Sequence, residues 1–200
     1  PSSVMLAVST DGGATWEHRE VAEAPEGFDN LWAVQADVDA SGAIHVAWAA
    51  RVDDERMATY VATSRDLGRT WTTPLALRDA GLNFLPWVAA FGDSTVAVGW
   101  YGGDATGEPD KAPADALWYA YVAQSTDGGA SFVVQRVSDT PVKKGELCPK
   151  GGACRGDREL LDYVSLAYDA NGDLHYAYAV SEKDVARTLV ATARGAATFT

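Results

Sequence analysis

The stretch SRDLGRTW at residues 64–71 recurs in nearly the same form elsewhere in this chain of 200 residues. Its counterparts are STDGGATW at residues 9–16 and STDGGASF at residues 125–132, and all fit the pattern S-x-D-x-G-x-[T/S]-[W/F]. A fourth stretch, TARGAATF at residues 192–199, keeps the outline but has arginine in place of aspartate. We call the three close copies the Asp turns. Repetition at this spacing is typical of a fold assembled from similar units.

Each Asp turn has the composition of a tight connection between two strands. Aspartate can accept hydrogen bonds from main-chain N–H groups further along a turn, and the glycine tolerates a positive φ. We expect the closing aromatic residue to return to the core and anchor the turn. Calcium binding is the alternative, but one carboxylate per turn is too few for that ion. The residues with these structural roles are Asp11, Gly13, Trp16, Asp66, Gly68, Trp71, Asp127, Gly129 and Phe132.

A second repeated element lies between the Asp turns. DASGAIHVAW at residues 39–48 matches DANGDLHYAY at residues 169–178, and FGDSTVAVGW at residues 91–100 is a looser copy. Each copy reads as a turn followed by a strand with alternating apolar residues. The two elements together predict antiparallel sheets of four strands, with the Asp turn between the third and fourth strands. Along the chain this pattern predicts the last two strands of one sheet, two complete sheets and three strands of another.

The Asp turn resembles the Asp-box, also called the bacterial neuraminidase repeat, and the resemblance extends over nearly the whole chain. It implies an all-β fold, a sialidase-like β-propeller of four-stranded antiparallel blades that is six-bladed when complete. This chain would cover a little over three blades in a single partial propeller domain. We expect the end of a blade at residues 1–27, full blades at 28–80 and 81–140, and a cysteine loop with an incomplete blade at 141–200. The remainder of the propeller would come from a longer chain or from other chains.

The composition limits the classes of binding partner and the cellular compartments that fit this chain. There are 16 basic and 28 acidic residues, so the net charge is −12, which disfavours nucleic acid and anionic membranes as partners. No apolar run is long enough for membrane insertion. Cys148 and Cys154 flank a short loop rich in glycine. We favour a disulfide, and with it a secreted or cell-surface protein, over a metal site or two free thiols. No cofactor or metal is predicted.

The resemblance also implies where a site would lie. In such propellers the functional loops are on the face opposite the Asp turns. Sialidases bind a substrate carboxylate with three arginines and use a tyrosine nucleophile assisted by a glutamate, with a separate aspartate as acid/base. No contiguous catalytic motif can be matched here, and a solvated loop charge or an edge tyrosine is the alternative for each residue. The catalytic candidates are Arg51 and Arg158 as carboxylate binders, Tyr163 or Tyr101 as nucleophile, and Asp162, Glu108 or Glu146 as acid/base.

Three functions fit these expectations. The first is an exported sialidase-like glycoside hydrolase that acts on a glycan or another carbohydrate ligand. The second is a non-catalytic propeller that binds glycan or protein through the same face. The third is a structural module of a larger extracellular assembly. If the chain is a hydrolase, we expect converging arginines and a carboxylate near a tyrosine. The Asp turn itself indicates a fold and is only weak evidence for a particular reaction.

Overall fold

The computed structural model describes residues 2–24, 31–148, 160, 164–182 and 185–194. The described residues form four antiparallel sheets, and each sheet is built from strands that are consecutive in the chain. Alternating apolar residues and glycine-containing turns favour such hairpins. The first sheet is β1 (Ser3–Val8) and β2 (Glu17–Glu23), and the second is β3 (Leu31–Val38), β4 (Ile44–Arg51), β5 (Met57–Ser64) and β6 (Leu75–Arg78). The third sheet is β7 (Leu82–Phe91), β8 (Thr95–Gly103), β9 (Leu117–Ser125) and β10 (Val133–Arg136), and the fourth is β12 (Val164–Tyr168), β13 (Leu174–Glu182) and β14 (Val185–Ala193).

Two elements were not predicted from the sequence. The short strand β11 (Lys143–Lys144) pairs with the start of β9, and a 3-10 turn occupies Pro109–Lys111. The strand after the second Asp turn, which the sequence places near residues 71–77, begins only at Leu75. Trp71 still belongs to the turn, because its indole N–H donates to the carbonyl of Gly68 at 3.2 Å. The sequence also suggests a short helical turn at 157–162, and apart from residue 160 this stretch lies outside the described residues.

The core lies between successive sheets rather than inside any one of them. One apolar cluster joins the first and second sheets, another joins the second and third, and the largest joins the third and fourth. Trp48, Trp100 and Tyr178 occupy the same position of the second repeated element, and all three are buried. In the described residues, no helix is long and apolar enough to span a membrane.

The antiparallel strand order divides the connections between strands into two groups, at opposite ends of the sheets. Because neighbouring strands are antiparallel, the turns after the first and third strand of each sheet lie at one end. The connections after the second and fourth strand lie at the other end. We call these the Asp-turn end and the loop end. The loop end carries the segments 51–57, 78–82 and 103–117, and it is the end at which the sequence analysis placed the functional loops.

Candidate functional site

The Asp turns are closed by hydrogen bonds within each turn. In the first copy, the N–H of Thr15 donates to Asp11 Oδ1 at 2.9 Å and the Thr15 hydroxyl donates to Asp11 Oδ2 at 2.6 Å. Asp66 and Asp127 receive the equivalent pair of bonds. These bonds lower the pKa of Asp11 and of Asp66 to about 2. The predicted capping role is therefore confirmed, and the oxygens of these carboxylates are occupied by the turn itself.

The prediction that the closing aromatic residue returns to the core is wrong for Trp16, whose surface is 58% exposed. Its indole N–H donates to the carbonyl of Gly13 at 3.2 Å, so the ring lies over its own turn. Trp71 and Phe132 at the same position are partly buried against neighbouring apolar clusters. The difference follows from tertiary context, because Trp71 and Phe132 have an adjacent sheet to pack against.

At the loop end, Arg51 ties two loops of adjacent sheets together. Its guanidinium is buried and donates to the carbonyls of Asp54 at 3.0 Å and of Gly107 at 3.3 Å. The N–H of Gly107 in turn donates to the carbonyl of Glu55 at 2.8 Å. Arg51 also lies 3.8 Å from the Glu108 carboxylate. The side chain therefore sets the position of the 103–117 loop relative to the second sheet.

Two further arginines at this end are paired with acids. Arg56 lies 2.7 Å from the Asp53 carboxylate, and its guanidinium holds the pKa of Asp53 below the usual range. Arg78 lies 2.6 Å from the carboxylate of Asp104 and 5.0 Å from the centre of the Tyr121 ring. Planar guanidinium groups suit both kinds of contact. At the loop end of the second and third sheets, Arg51, Arg56 and Arg78 thus each have an acidic partner.

Asn83 is the buried hub between these loops. Its amide N–H groups donate to the carbonyls of Met57 at 2.7 Å and Ala80 at 3.1 Å. Its oxygen accepts from the indole of Trp100 at 3.0 Å and from Arg78 at 3.0 Å. A single amide therefore joins the end of the second sheet to the core of the third. In the sequence, Asn83 can be assigned to this end only as a residue at the entry to the first strand of a sheet, and Arg78 was missed. The signal for Arg78 was its position at the end of the strand before that segment.

The 103–117 loop shapes a depression on the surface. The depression has a volume of about 300 Å³, and its lining includes Asp104, Asp115, Leu117 and Tyr119. The Tyr119 ring is partly buried, and Arg136 lies 4.6 Å from its centre on one face. An aromatic ring beside carboxylates is an arrangement that can receive a sugar, because the ring contacts C–H groups while the carboxylates accept hydroxyl hydrogen bonds.

Four of the seven predicted catalytic residues, Arg51, Tyr101, Glu108 and the exposed Glu146, lie in the described part of the chain, and three do not. Arg158, Asp162 and Tyr163 lie outside the described residues, as does Cys154. No cysteine in the described part of the chain is free, and the pairing of Cys148 with Cys154 stays a prediction. No group of three or more histidine, cysteine or acidic side chains in the described ranges could hold a metal ion.

Tyr101 and Glu108 can be placed. The Tyr101 hydroxyl accepts from the N–H of Ala179 at 2.7 Å, and burial raises the pKa of this phenol. Tyr101 therefore connects the third and fourth sheets inside the protein. Glu108 lies between Arg51 and Lys111, 3.4 Å from the lysine ammonium. The structure brings Arg51 and Glu108 together, while Tyr101 contacts a different sheet.

Comparison with known proteins identifies the fold. No family model and no curated protein matches the chain. A protein of unknown function from Dyadobacter fermentans matches with 17% identity and a TM-score of 0.52, covering 86% of this chain and 53% of that chain. A variant of an α-L-arabinofuranosidase from Fusarium graminearum, in complex with an iminosugar inhibitor, matches with 14% identity and a TM-score of 0.50, covering 94% and 53%. Trypanosoma rangeli sialidase in complex with the inhibitor DANA matches with 15% identity and a TM-score of 0.49, covering 99% and 33%.

At these identities the likeness shows the fold alone. The predicted fold class, an all-β propeller of antiparallel blades, is confirmed. The chain spans about half the length of the first two solved structures named above.

Proposed function

We propose that this chain belongs to an exported, carbohydrate-directed β-propeller whose ligand binds at the loop end. The observation that carries the proposal is the depression beside Asp104, Asp115 and Tyr119, on loops that Arg51, Arg78 and Asn83 hold in place. Rigid loops reduce the entropy lost when a ligand is bound. The carboxylates of the three Asp turns are engaged by their own turns, so we do not place the ligand there. We identify these turns as Asp-boxes on the sequence pattern and this hydrogen bonding.

The proposed reaction is glycoside hydrolysis. Arg158, Asp162 and Tyr163 are the proposed catalytic residues, and the proposed Cys148–Cys154 disulfide would hold the loop that precedes them. The fold is similar to that of an α-L-arabinofuranosidase, and this similarity supports testing glycoside hydrolysis first. A carboxylate close to a tyrosine would take the phenol proton as the phenol oxygen bonds to the anomeric carbon and the glycosidic bond breaks, and an acid would protonate the leaving-group oxygen. Water would then hydrolyse the glycosyl–tyrosine bond and restore the phenol.

The second candidate is a non-catalytic glycan-binding propeller. It is favoured by the pairing of Arg51, Arg56 and Arg78 with carboxylates, because a site for an acidic sugar needs guanidinium groups available to the ligand. The net charge of −12 also opposes binding of an anionic ligand. Both observations favour a neutral sugar as the ligand.

The test combines binding and turnover on the full chain. A panel of immobilised neutral and sialylated glycans measures binding, and aryl arabinofuranosides, other aryl glycosides and sialosides measure hydrolysis. We expect Tyr119→Ala to weaken binding about fivefold, the loss that one ring–sugar contact of about 1 kcal/mol implies. Trp16→Ala is the matched control, because Trp16 is an exposed aromatic residue at the opposite end.

Each outcome separates the candidates. Turnover that Arg158→Ala abolishes supports the hydrolase, and binding without turnover supports the binding propeller. Absence of binding and turnover across the panel, or equal effects of the Tyr119 and Trp16 substitutions, would count against the proposed function.

A further inference from the structure

The depression beside Tyr119 is lined by charged side chains of one sign only, and we call it the acidic depression. Among the described residues, Asp104 and Asp115 are the charged members of its lining. The rest of the lining is apolar or aromatic: Ala105, Pro113, Ala116, Leu117 and Tyr119. A carboxylate only accepts hydrogen bonds, so these walls suit a ligand that donates them.

The lysines of this region line a different depression. Residues 112–116 contribute to both: Asp115 lines the acidic depression, whereas positions 112 and 114 line a second depression of about 390 Å³. Lys143 and Lys144 line that second depression together with Glu146. The two lysines are therefore separated from the acidic depression by this segment of the chain.

The two carboxylates of the acidic depression differ in whether a cation compensates them. Arg78 lies 2.6 Å from Asp104 Oδ1, while the Asp104 side chain remains 89% exposed, so its Oδ2 can still accept from a ligand. Asp115 is exposed, and its carboxylate makes no hydrogen bond or ion pair with any described residue. The uncompensated charge of the lining is therefore that of Asp115.

Tyr119 supplies an aromatic face next to this charge. Arg136 lies 4.6 Å from the centre of the Tyr119 ring and covers one of its faces, so a sugar can contact only the other. Arg136 is not among the described residues that line the depression. An aromatic face packs against C–H groups and attracts a cation, and a carboxylate pairs with one. Together these groups suit a ligand that has both an apolar surface and a positive charge.

The acidic depression is small enough for one bound sugar residue to be close to the Asp115 charge. Its volume of about 300 Å³ is at the lower end of the range for ligand pockets. A compact space of that volume is about 8 Å wide, comparable to the screening length of about 8 Å at physiological salt. Salt therefore leaves much of the attraction between Asp115 and a positively charged group in the depression.

We propose that the acidic depression selects a sugar with a free amino group, of the glucosamine type, and that Asp115 determines this specificity. The sugar ring packs on the open face of Tyr119, and its ammonium group pairs with the Asp115 carboxylate. The net charge of −12 attracts the same class of ligand. This inference rests on the proposed function, because it narrows the choice among sugars without an acidic group at the same depression.

Binding of two matched ligands to the full chain tests the proposal. The trimers of glucosamine and of N-acetylglucosamine share their rings and linkages, but only the first carries ammonium groups. Isothermal titration calorimetry at pH about 6 measures both, because an amine with a pKa of about 8 is protonated there. We expect the glucosamine trimer to bind about fivefold more tightly, the upper end for one exposed ion pair, and added salt should reduce this preference.

Asp115→Asn removes the charge and keeps the size of the side chain. It should weaken binding of the glucosamine trimer about fivefold and leave the N-acetylglucosamine trimer unchanged. Asp93→Asn is the matched control, because Asp93 is exposed on the turn between β7 and β8, at the opposite end of the sheet. Both variants have the same net charge, so only the position of the lost carboxylate differs. Tyr119→Ala should weaken both trimers alike, since the ring contact does not depend on the amine.

The outcomes distinguish this proposal from the proposed function. Equal affinities for the two trimers, or a glucosamine preference that Asp115→Asn leaves intact, would overturn the role of Asp115 while the carbohydrate function stands. Equal weakening by Asp93→Asn and Asp115→Asn would also overturn it, because net charge would then explain the preference. If neither trimer binds, the amino-sugar proposal is wrong. The proposed function then survives only if another glycan of the panel binds.

Discussion

Replacing Gly129 by alanine tests how the Asp turns hold neighbouring sheets together. Gly129 and Gly13 occupy the same position in two Asp turns, and both have positive φ, +85° and +91°. They differ in what surrounds the missing Cβ. At Gly129 it would meet the Thr63 hydroxyl at 2.7 Å, whereas at Gly13 its nearest contact is the Trp16 ring at 3.8 Å. Gly13→Ala is therefore a control for the backbone cost alone.

The expected losses of stability combine two costs, the positive φ and the close contact of the new Cβ. Placing an L-residue in the left-handed region costs about 1–2 kcal/mol, which both variants incur. Overpacking a close contact costs about 1–3 kcal/mol more, and Thr63 has little freedom to move because it is buried and lies 2.9 Å from His45 Nδ1. We expect Gly13→Ala to lower the free energy of unfolding by about 1–2 kcal/mol and Gly129→Ala by about 2–5 kcal/mol.

Urea unfolding followed by tryptophan fluorescence measures both losses, since the chain has 7 tryptophans. The difference between the variants is the informative quantity, because the cost of positive φ cancels. Equal losses would refute the reasoning, as they would mean that the contact with Thr63 and His45 has no energetic consequence. A changed slope with urea in one variant only would show that the unfolding mechanism differs and would call for a second probe of the same transition.

Three further predictions concern the loop end and the turns. Asn83→Leu leaves the buried indole N–H of Trp100 and the Met57 carbonyl without partners, so urea unfolding should show a loss of about 2–6 kcal/mol. The pKa of Asp66 is lowered to about 2 in the folded state, so its contribution to stability is complete above pH about 4 and is lost as the pH falls towards 2. Asp66→Asn should therefore flatten the fall in melting temperature over that window, and an unchanged profile would contradict the capping role. Arg51→Lys removes the planar fork, so hydrogen exchange at the Gly107 amide should accelerate by about fivefold or more while exchange in β4 stays the same.

Much of the fold could be predicted because its signals are local. The Asp turn is closed by bonds between residues at most four apart, such as Thr15 to Asp11, and the sequence contains every group that takes part. The alternation of apolar residues then gives the strands between turns, and the repeat gives their order. The strand β11 escaped prediction because two residues carry no periodicity. Its pairing is set by Val142 and Trp118, which meet only in the folded chain.

The candidate site was less predictable because its contacts join residues that are far apart in the sequence. Arg51 was selected as a ligand-binding residue from its place in a loop, and the choice of that loop end agrees with the strand order. Its observed contact is with the carbonyl of Gly107, 56 residues later. Arg78 and Asp104 are 26 residues apart, and the sequence offers no pattern that joins them. Whether an arginine faces a ligand or a loop carbonyl depends on how two sheets are stacked, and that is a property of the assembled propeller.

The repeated pattern gives the position of the Asp turns and the equivalence of His45 with His175, and its resemblance to the Asp-box indicates the all-β propeller. These are consequences of short-range hydrogen bonds and of a period that repeats along the chain. Packing between the sheets encloses one of these two equivalent histidines and leaves the other partly exposed. Their sequences are alike, but a glycine turn from the next sheet covers His45, and burial is a relation between sheets that no single repeat can encode.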